Sequence, residues 1–347
     1  MTPAGTPTAG ILVPNAMAEV HRAVVTGVAG FIGSHLAEAL IDRGVAVTGI
    51  DVADRSGSVR TDHLQALLRH PRFTLVRADL RVDDLAPFLE GDPVVFHLAA
   101  LAGVRSSWGE QFQTYLDVNV IGTQRLLDAC AEAEIARLVI ASSSSVYGPH
   151  RGTPFMEEDQ PWPASPYGVS KLAAERLAMA YANRPGSCTS VVALRYFSVY
   201  GPRQRSDMWI CRALHAALTG HTVNLYGDGC QRRDFTYIGD VVTATLAAAV
   251  VPARSEVVNV GTGTATSMLD VLDLVTEVTG LSVPLSRLQT SAGDVPVTEA
   301  DLTRARQILG YVPQTDLRAG IERQWVWMTE KPYSTDIYKS TLSSGVI

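Results

Sequence analysis

The sequence predicts an α/β fold: a doubly wound parallel sheet followed by a smaller α+β lobe. Three observations predict it. Residues 22–51 read strand, glycine turn, helix, strand, acid. Apolar runs and helical stretches then alternate to about residue 198, as a parallel sheet covered on both faces requires. Beyond that point the alternation gives way to short strands, Gly-containing turns and isolated helices.

The first unit carries the clearest chemistry. Ala23 to Val25 form a short buried strand. Gly27, Gly30 and Gly33 follow at a spacing of three. The first permits a tight turn, the second lets backbone N–H groups approach a pyrophosphate, and the third lets the helix lie close on the sheet. Phe31 and Ile32 open that helix, which runs through Ser34 to Arg43 and stops at Gly44. Val45 to Ile50 is the second strand, and Asp51 ends it. A carboxylate there accepts hydrogen bonds from an adenosine ribose and repels a 2′-phosphate, which favours NAD over NADP. Gly27, Gly30, Phe31, Ile32 and Asp51 are therefore expected to contact NAD.

A polar segment follows, then an expected helix over Thr61 to Arg69 and a third strand over Phe73 to Val76. Asp79-Leu80 closes that strand, either beside an adenine or as a cap for the segment after it. The fourth strand, Val94 to Leu98, runs into Ala99 and Ala100, small residues that let a cofactor pass the backbone closely. Trp108 to Ala133 reads helical, with Asn119 inside it, and Arg137 to Ser142 is the fifth strand. A Pro-rich loop over 149–166 leads to a helix from Pro166 past Tyr181, then a sixth strand over Val191 to Leu194. Helices are expected near Asp240–Ala249, Met268–Thr279, Thr303–Leu309 and Leu317–Met328, and Val257 to Val260 is expected to rejoin the main sheet. The organisation expected is a tail over 1–20, a dinucleotide-binding domain over 21–198, a substrate lobe over most of 199–330 and a tail over 331–347.

A net charge of −6 and the lack of a basic run argue against nucleic acid or an anionic membrane as partner. Residues 1–20 contain no Lys or Arg, so they do not read as a secretory signal. No run approaches the roughly 20 apolar residues of a membrane span. Cys130, Cys188, Cys211 and Cys230 are scattered, so neither a metal site nor a disulfide framework is expected, and the chain reads as cytoplasmic.

Tyr167 and Lys171 lie four apart and share a helix face. A phenol of reference pKa near 10 is a poor base at neutral pH, and a nearby ammonium or an oxidised nicotinamide favours the phenolate. Ser142 to Ser145 end a strand of the same sheet. A hydroxyl there can bond the same substrate oxygen and pass its proton to the tyrosine.

The stretches TGVAGFIGSHL, HLAALAGVR, SSSSVYG, YGVSK, RYFSVYGPRQR and RRDFTYIGDVV occur in this order. Over roughly residues 22–328 the chain resembles the extended short-chain dehydrogenase/reductase family, the NAD-dependent nucleotide-sugar epimerases and dehydratases. The resemblance implies a Rossmann-type sheet, retained NAD, a UDP- or dTDP-sugar substrate oxidised at C4, and a homodimer paired through helices near 110–133 and 167–183. It implies that Ser143 is the catalytic hydroxyl, that Tyr167 is the base, and that Lys171 holds the nicotinamide ribose and lowers the tyrosine pKa. It implies cofactor contacts from Asp79, Leu80, Leu98, Ala99, Ala100, Asn119 and Tyr196. On the substrate side it implies Arg105, Arg233 and Asp294, with uracil received by the strand of Asn224 to Tyr226.

Within that family, 4,6-dehydratases carry Asp-Glu after the catalytic hydroxyl, and UDP-glucuronate decarboxylases carry Glu at the second of those positions. Ser144 and Ser145 stand there instead, which leaves 4-epimerisation. Ser198, with Arg205 seven residues later, is similar to UDP-glucuronate 4-epimerases, in which both positions face the sugar carboxylate. Ser144, Ser145 and Ser198 are then expected to bind the carboxylate as neutral donors, with Arg205 nearby in the pocket, where an arginine suits either that carboxylate or the diphosphate. UDP-glucose or UDP-N-acetylglucosamine 4-epimerases, the decarboxylases, the dehydratases and a non-catalytic NAD-binding sensor are the alternatives; sensors typically lack the tyrosine or the lysine, and both are present. Two departures stand out. Ser291 replaces an arginine usual before Gly293-Asp294, so Arg287 or another cation must compensate, and Ser206 replaces a proline after Arg205.

Overall fold

The structure, a computed structural model, describes residues 17–52, 63–149, 152, 154–252, 255–290 and 292–330. Seven strands form the main sheet: β1 (Arg22–Thr26), β2 (Ala46–Asp51), β3 (Phe73–Arg77), β4 (Val94–His97), β5 (Arg137–Ser143), β6 (Ser190–Tyr196) and β10 (Glu256–Val260). Their order is β10-β6-β5-β4-β1-β2-β3, and all pair in parallel. The chain winds outward from β1 to β3, then returns to lay β4 on the other side of β1. That reversal opens a crevice at the carboxyl ends of β1 and β4, where ligands bind in doubly wound sheets.

The alternation of a strand explains the two-sided core. Val25 enters one apolar cluster with Leu36, Leu40, Val139 and Leu194, while its neighbour Val24 enters another with Val95, Leu126 and Leu138. Each such side chain contributes about 1.5–3 kcal/mol on burial. On one face lie α1 (Phe31–Asp42) and α5 (Ile238–Val250), whose buried residues share the first cluster. The helix α2 consists of Gln111–Leu116 and Gly122–Glu132 joined by a π-helical turn, Asp117–Ile121, that carries Asn119. Such turns often mark functional positions. On the other face, α2 and α3 (Pro166–Ala182) supply Leu126, Leu127 and Ala178 to the second cluster.

The second region holds α4 (Trp209–Thr219), α6 (Met268–Thr279) and α8 (Leu317–Glu330), which share a third cluster around Ile210, Leu214 and Ile321. The other elements are the short strands β7 (Ser198–Tyr200), β8 (Val223–Tyr226), β9 (Arg232–Tyr237), β11 (Ala265–Ser267), β12 (Leu285–Leu288) and β13 (Val297–Thr298), with the helix α7 (Thr303–Leu309). β9 is flanked by β11 and β13 and also pairs β7, while β12 pairs β8. Among the described residues no helix is long and apolar enough to cross a membrane.

Three expectations need correction. Residues 17–20 are not loose: Met17 is buried in the first cluster and Val20 packs on it. The helix expected over Thr61–Arg69 falls partly outside the described residues, and the rest holds short 3-10 stretches and a turn in place of an α-helix, Leu67–Arg69 among them. The helix α4 was not foreseen, although its apolar residues recur at helical spacing. The tail expected over 331–347 lies outside the described residues.

Candidate active site

The crevice is built by turns that only particular residues can make. Gly27 has φ +70°, and a Cβ there would lie 2.7 Å from the backbone nitrogen of Ala99. A Cβ on Gly33 would lie 2.2 Å from the Gly27 carbonyl oxygen. The turn after β1 thus lies directly against the loop after β4, and Gly33 brings α1 onto it. Phe31 and Ile32, in the first turn of α1, pack against the first cluster. Asp51, at the end of β2, accepts the Ala29 N–H at 2.9 Å and the Val52 N–H at 2.7 Å. Gly27, Asp51, Asp79, Leu80, Ala99 and Val118 line one cavity at these strand ends.

Asp79 is buried there and paired with Arg81 at 2.7 Å. Its Oδ1 also accepts the Arg81 N–H at 3.0 Å, which closes a turn rather than a helix, so the capping expectation is met in altered form. The glycine turn, the acid after β2 and the cavity between them fit a dinucleotide: backbone N–H groups for phosphate, a carboxylate for ribose, a slot for a base.

The loop after β4 is held by a buried polar chain that no motif or spacing in the residues announces. Thr26 Oγ1 lies 2.8 Å from His97 Nδ1, and His97 Nε2 lies 2.8 Å from Thr123 Oγ1. Thr123 donates to the Asn119 carbonyl at 2.6 Å, so its oxygen accepts from Nε2–H, and Nδ1 accepts from Thr26. Thr26 Oγ1 in turn accepts the Ala99 N–H at 3.3 Å, and the Leu98 N–H bonds the Thr26 carbonyl at 3.2 Å. Burial, aided by the Lys171 charge, lowers the His97 pKa to about 3. Asn119 does its work through this loop: its amide accepts the Leu101 N–H at 2.7 Å and donates to the Leu101 carbonyl and to Ser170 Oγ. Its polar atoms are turned to the protein, so it braces the segment containing Ala100. Tyr196 likewise turns its hydroxyl away, to Thr245 Oγ1 at 2.7 Å, and is buried in the first cluster.

Ser143 and Tyr167 are brought together as expected. Ser143 ends β5, accepts the Ser145 N–H at 3.1 Å, and lies close enough to the Tyr167 phenol for its hydroxyl to favour the phenolate. Ser144 and Ser145 form the 3-10 turn after it, both half-buried. Pro166 and the Ser165 cap, whose Oγ accepts the Gly168 N–H at 3.1 Å, start α3 so that Tyr167 lies in its first turn. Burial raises the Tyr167 pKa, while the neighbouring Ser143 hydroxyl and the Arg205 charge lower it. The Lys171 ammonium, one turn further along α3, donates to the Ala141 carbonyl at 2.6 Å. Burial brings the Lys171 pKa down to about 8 against the opposing charge of Glu175.

Arg205 lies at this centre, ion-paired with Asp207 at 2.5 Å. It faces the loop containing Gly103, whose added Cβ would lie 3.7 Å from Arg205 Nη2. Tyr115, buried and unforeseen, stands edge-on to Tyr167 at 6.2 Å and bonds Ser106 and the Gly103 carbonyl. A tyrosine at that helix position reads as core, so the sequence held no signal for it. Arg203 keeps the adjoining loop tied to α1: its φ is +66° and it pairs with Glu38 at 2.6 Å. Ser198 opens β7, opposite Phe235 of β9.

A second group of side chains gathers at the lobe side. The Arg105 guanidinium lies 3.9 Å from the centre of the Tyr226 ring and 3.0 Å from Asp294, while Arg233 is 4.0 Å from the same carboxylate. Asn224 lies on β8 two residues before Tyr226. Arg287 is exposed on β12 and acts on Asp228 and Cys230 at the Gly227–Gly229 turn. Arg105, not Arg287, therefore joins Arg233. Ser291 lies outside the described residues.

Residues 23–261 match the model of the NAD dependent epimerase/dehydratase family. The chain is 42% identical to an uncharacterized UDP-glucose epimerase, YtcB of Bacillus subtilis, over 312 residues, covering 89% of this chain and 98% of that one. It is similar to the structure of MoeE5 in complex with UDP-glucuronic acid and NAD, at 45% identity and TM-score 0.81, covering 89% and 99% of the two chains. It is also similar to UDP-glucuronic acid 4-epimerase from Bacillus cereus in complex with UDP-glucuronic acid and NAD, at 38% identity and TM-score 0.84, with the same coverage. The family match begins in β1 and ends just past β10, so it spans the whole crevice-bearing sheet. The chain belongs to the NAD dependent epimerase/dehydratase family.

Proposed function

We propose that the protein is an NAD-dependent UDP-sugar 4-epimerase that interconverts UDP-glucuronate and UDP-galacturonate. One observation carries the choice of substrate: a guanidinium, Arg205, that faces the Gly103 loop and whose charge reaches the phenol of Tyr167, with hydroxyls rather than carboxylates after Ser143. Arginine suits a planar carboxylate. Similarity to the two proteins solved with UDP-glucuronic acid supports the same reading.

When bound, NAD supplies the reversible hydride acceptor for the sugar C4. Gly27, Gly30, Phe31 and Ile32 hold its pyrophosphate, Asp51 its ribose, and Asp79, Leu80 and Ala99 its adenine side. Lys171 keeps two ammonium protons beyond its bond to Ala141, enough to hold a ribose hydroxyl as well. Tyr167 removes the proton of the 4-hydroxyl with Ser143 as bridge, and returns it after the 4-keto sugar has turned over. A 4-keto uronate is a β-keto acid prone to lose CO2. Ser144, Ser145, Ser198 and Arg205 hold its carboxylate out of line with the carbonyl π system. Arg105, Arg233 and Asp294 take the diphosphate and its ribose, and Asn224 and Tyr226 take the uracil. The protein works in the cytoplasm as a homodimer paired through α2 and α3.

The test is product analysis by NMR after incubation with UDP-glucuronate. UDP-galacturonate is expected; UDP-xylose or a 4-keto pentose as main product overturns the assignment. The 42% identity to a protein named as a UDP-glucose epimerase favours a second reading, 4-epimerisation of UDP-glucose, which a parallel incubation with that sugar decides.

A further inference from the structure

One face of α3 grips three successive residues of β5. Tyr167, Lys171 and Glu175 follow one another at intervals of four, so they stand in line along the helix. Tyr167 lies beside Ser143, Lys171 donates to the Ala141 carbonyl at 2.6 Å, and Glu175 accepts the Ser142 hydroxyl at 2.6 Å. The last of these contacts has no part in the reaction derived above. Glu175 is 0% exposed and Arg195 1% exposed, and Arg195 closes on it with two bonds, 2.7 and 2.9 Å. Arg195 lies on β6 directly opposite Ser142. Its guanidinium also covers the ring of Tyr147, just beyond the serine turn, at 4.7 Å.

We propose that Glu175, locked by Arg195 and Ser142, is the positioning residue that sets Tyr167 against Ser143 and supplies the counter-charge of the Lys171 ammonium. It rests on the reading of Tyr167 and Ser143 as the reacting pair. Two physical facts favour it over a plain structural ion pair. A buried Arg–carboxylate pair is on its own weak evidence for stability, since an apolar pair of similar volume often serves as well. Here the carboxylate spends an acceptor on the residue next to Ser143, so its placement is transmitted to the reacting hydroxyl through one peptide. The charges facing Lys171 are few. Glu175 stands on its own helix, with Arg195 behind it on β6; His97 faces it from β4 and is neutral; β5 offers only the Ala141 carbonyl. Glu175 is thus the anionic charge holding up a lysine that burial has already brought to about 8.

The test uses NAD-loaded protein, with UDP-glucuronate and UDP-glucose as substrates, and follows the Lys171 amine by nitrogen NMR. In Glu175→Gln the amide still accepts from Ser142, but the charge is gone and Arg195 remains. The lysine midpoint is expected to fall by about one unit or more, and the alkaline limb of kcat to move down with it, while KM stays within about twofold. In Ser142→Ala both charges remain, so the lysine midpoint is expected to stay and kcat to fall about threefold to tenfold. Glu175→Asp is expected to restore the midpoint and only part of kcat. If Glu175→Gln does not fold, Ser142→Ala still decides the positioning role, and the double variant Glu175→Gln/Arg195→Met, which leaves no uncompensated guanidinium in the core, decides the electrostatic one by the same fall in the lysine midpoint. A parental lysine midpoint in Glu175→Gln overturns the electrostatic role, and a parental kcat in a folded Ser142→Ala overturns the positioning role. Tyr167→Phe run beside them separates the two failures: if it stays active, the reading of the reacting pair is at fault. The lysine titration needs no turnover, so it decides the electrostatic role whichever sugar is used.

Discussion

The loop that meets the cofactor is fastened by a histidine that must stay neutral, and this makes the fold acid-sensitive in a calculable way. His97 is an ordinary imidazole in the unfolded chain, with a pKa of 6.5, and is held near 3 when folded. Between these values the unfolded chain binds a proton that the folded chain refuses. Stability therefore rises with pH through this window and is lost as pH falls from 6.5 toward 3. Each unit is worth about 1.4 kcal/mol. At pH 5 the loss from this one group is about 2 kcal/mol, and at pH 3 it is about 4 kcal/mol, close to the lower end of a typical domain's total stability. In His97→Gln the titrating group is gone, although the variant starts less stable for want of the bonds to Thr26 and Thr123. Urea unfolding at pH 7.5 and pH 5.0, at one fixed NAD concentration, measures both. The parent is expected to lose about 2 kcal/mol more than the variant between these pH values. Equal losses would refute the argument, because the difference between the two proteins isolates this one imidazole.

Four further outcomes are expected. Tyr167→Phe should fold and retain NAD but lose about 10²- to 10⁴-fold in kcat, read by product NMR. Gly27→Ala places a side chain at φ +70° and 2.7 Å from Ala99; the backbone alone costs about 1–2 kcal/mol, so a lower Tm and protein purified without NAD are expected. Arg105→Met removes the cation stacked on Tyr226 and should raise KM for UDP-sugars about tenfold with little change in kcat. Arg205→Met should lower kcat/KM for UDP-glucuronate about 10- to 100-fold while leaving UDP-glucose within a few fold, measured in parallel assays.

Much of this was determined by sequence alone, for a local reason. A glycine turn, a strand-end acid and a Tyr-x-x-x-Lys helix each draw their meaning from residues within a few positions, where backbone sterics and helical spacing already fix geometry. Gly27 must be glycine because of the turn it makes, and Tyr167 and Lys171 must share a face because they lie four apart. What lies across the chain needed the tertiary structure. That Lys171 bonds the Ala141 carbonyl, and that Arg205 comes near the phenol, depend on how α3 and the loop after β7 settle on β5. That Arg105, 128 residues before Arg233, meets the same Asp294 carboxylate, while Arg287 stays exposed on β12, depends on the loop after β4 meeting the lobe. The inward turn of Asn119 and Tyr196, and the His97 chain that joins Thr26 to Thr123, are settled by which buried polar group finds which partner. Burial makes an unpaired polar group costly and so forces these choices, but only the packed chain determines who the partners are.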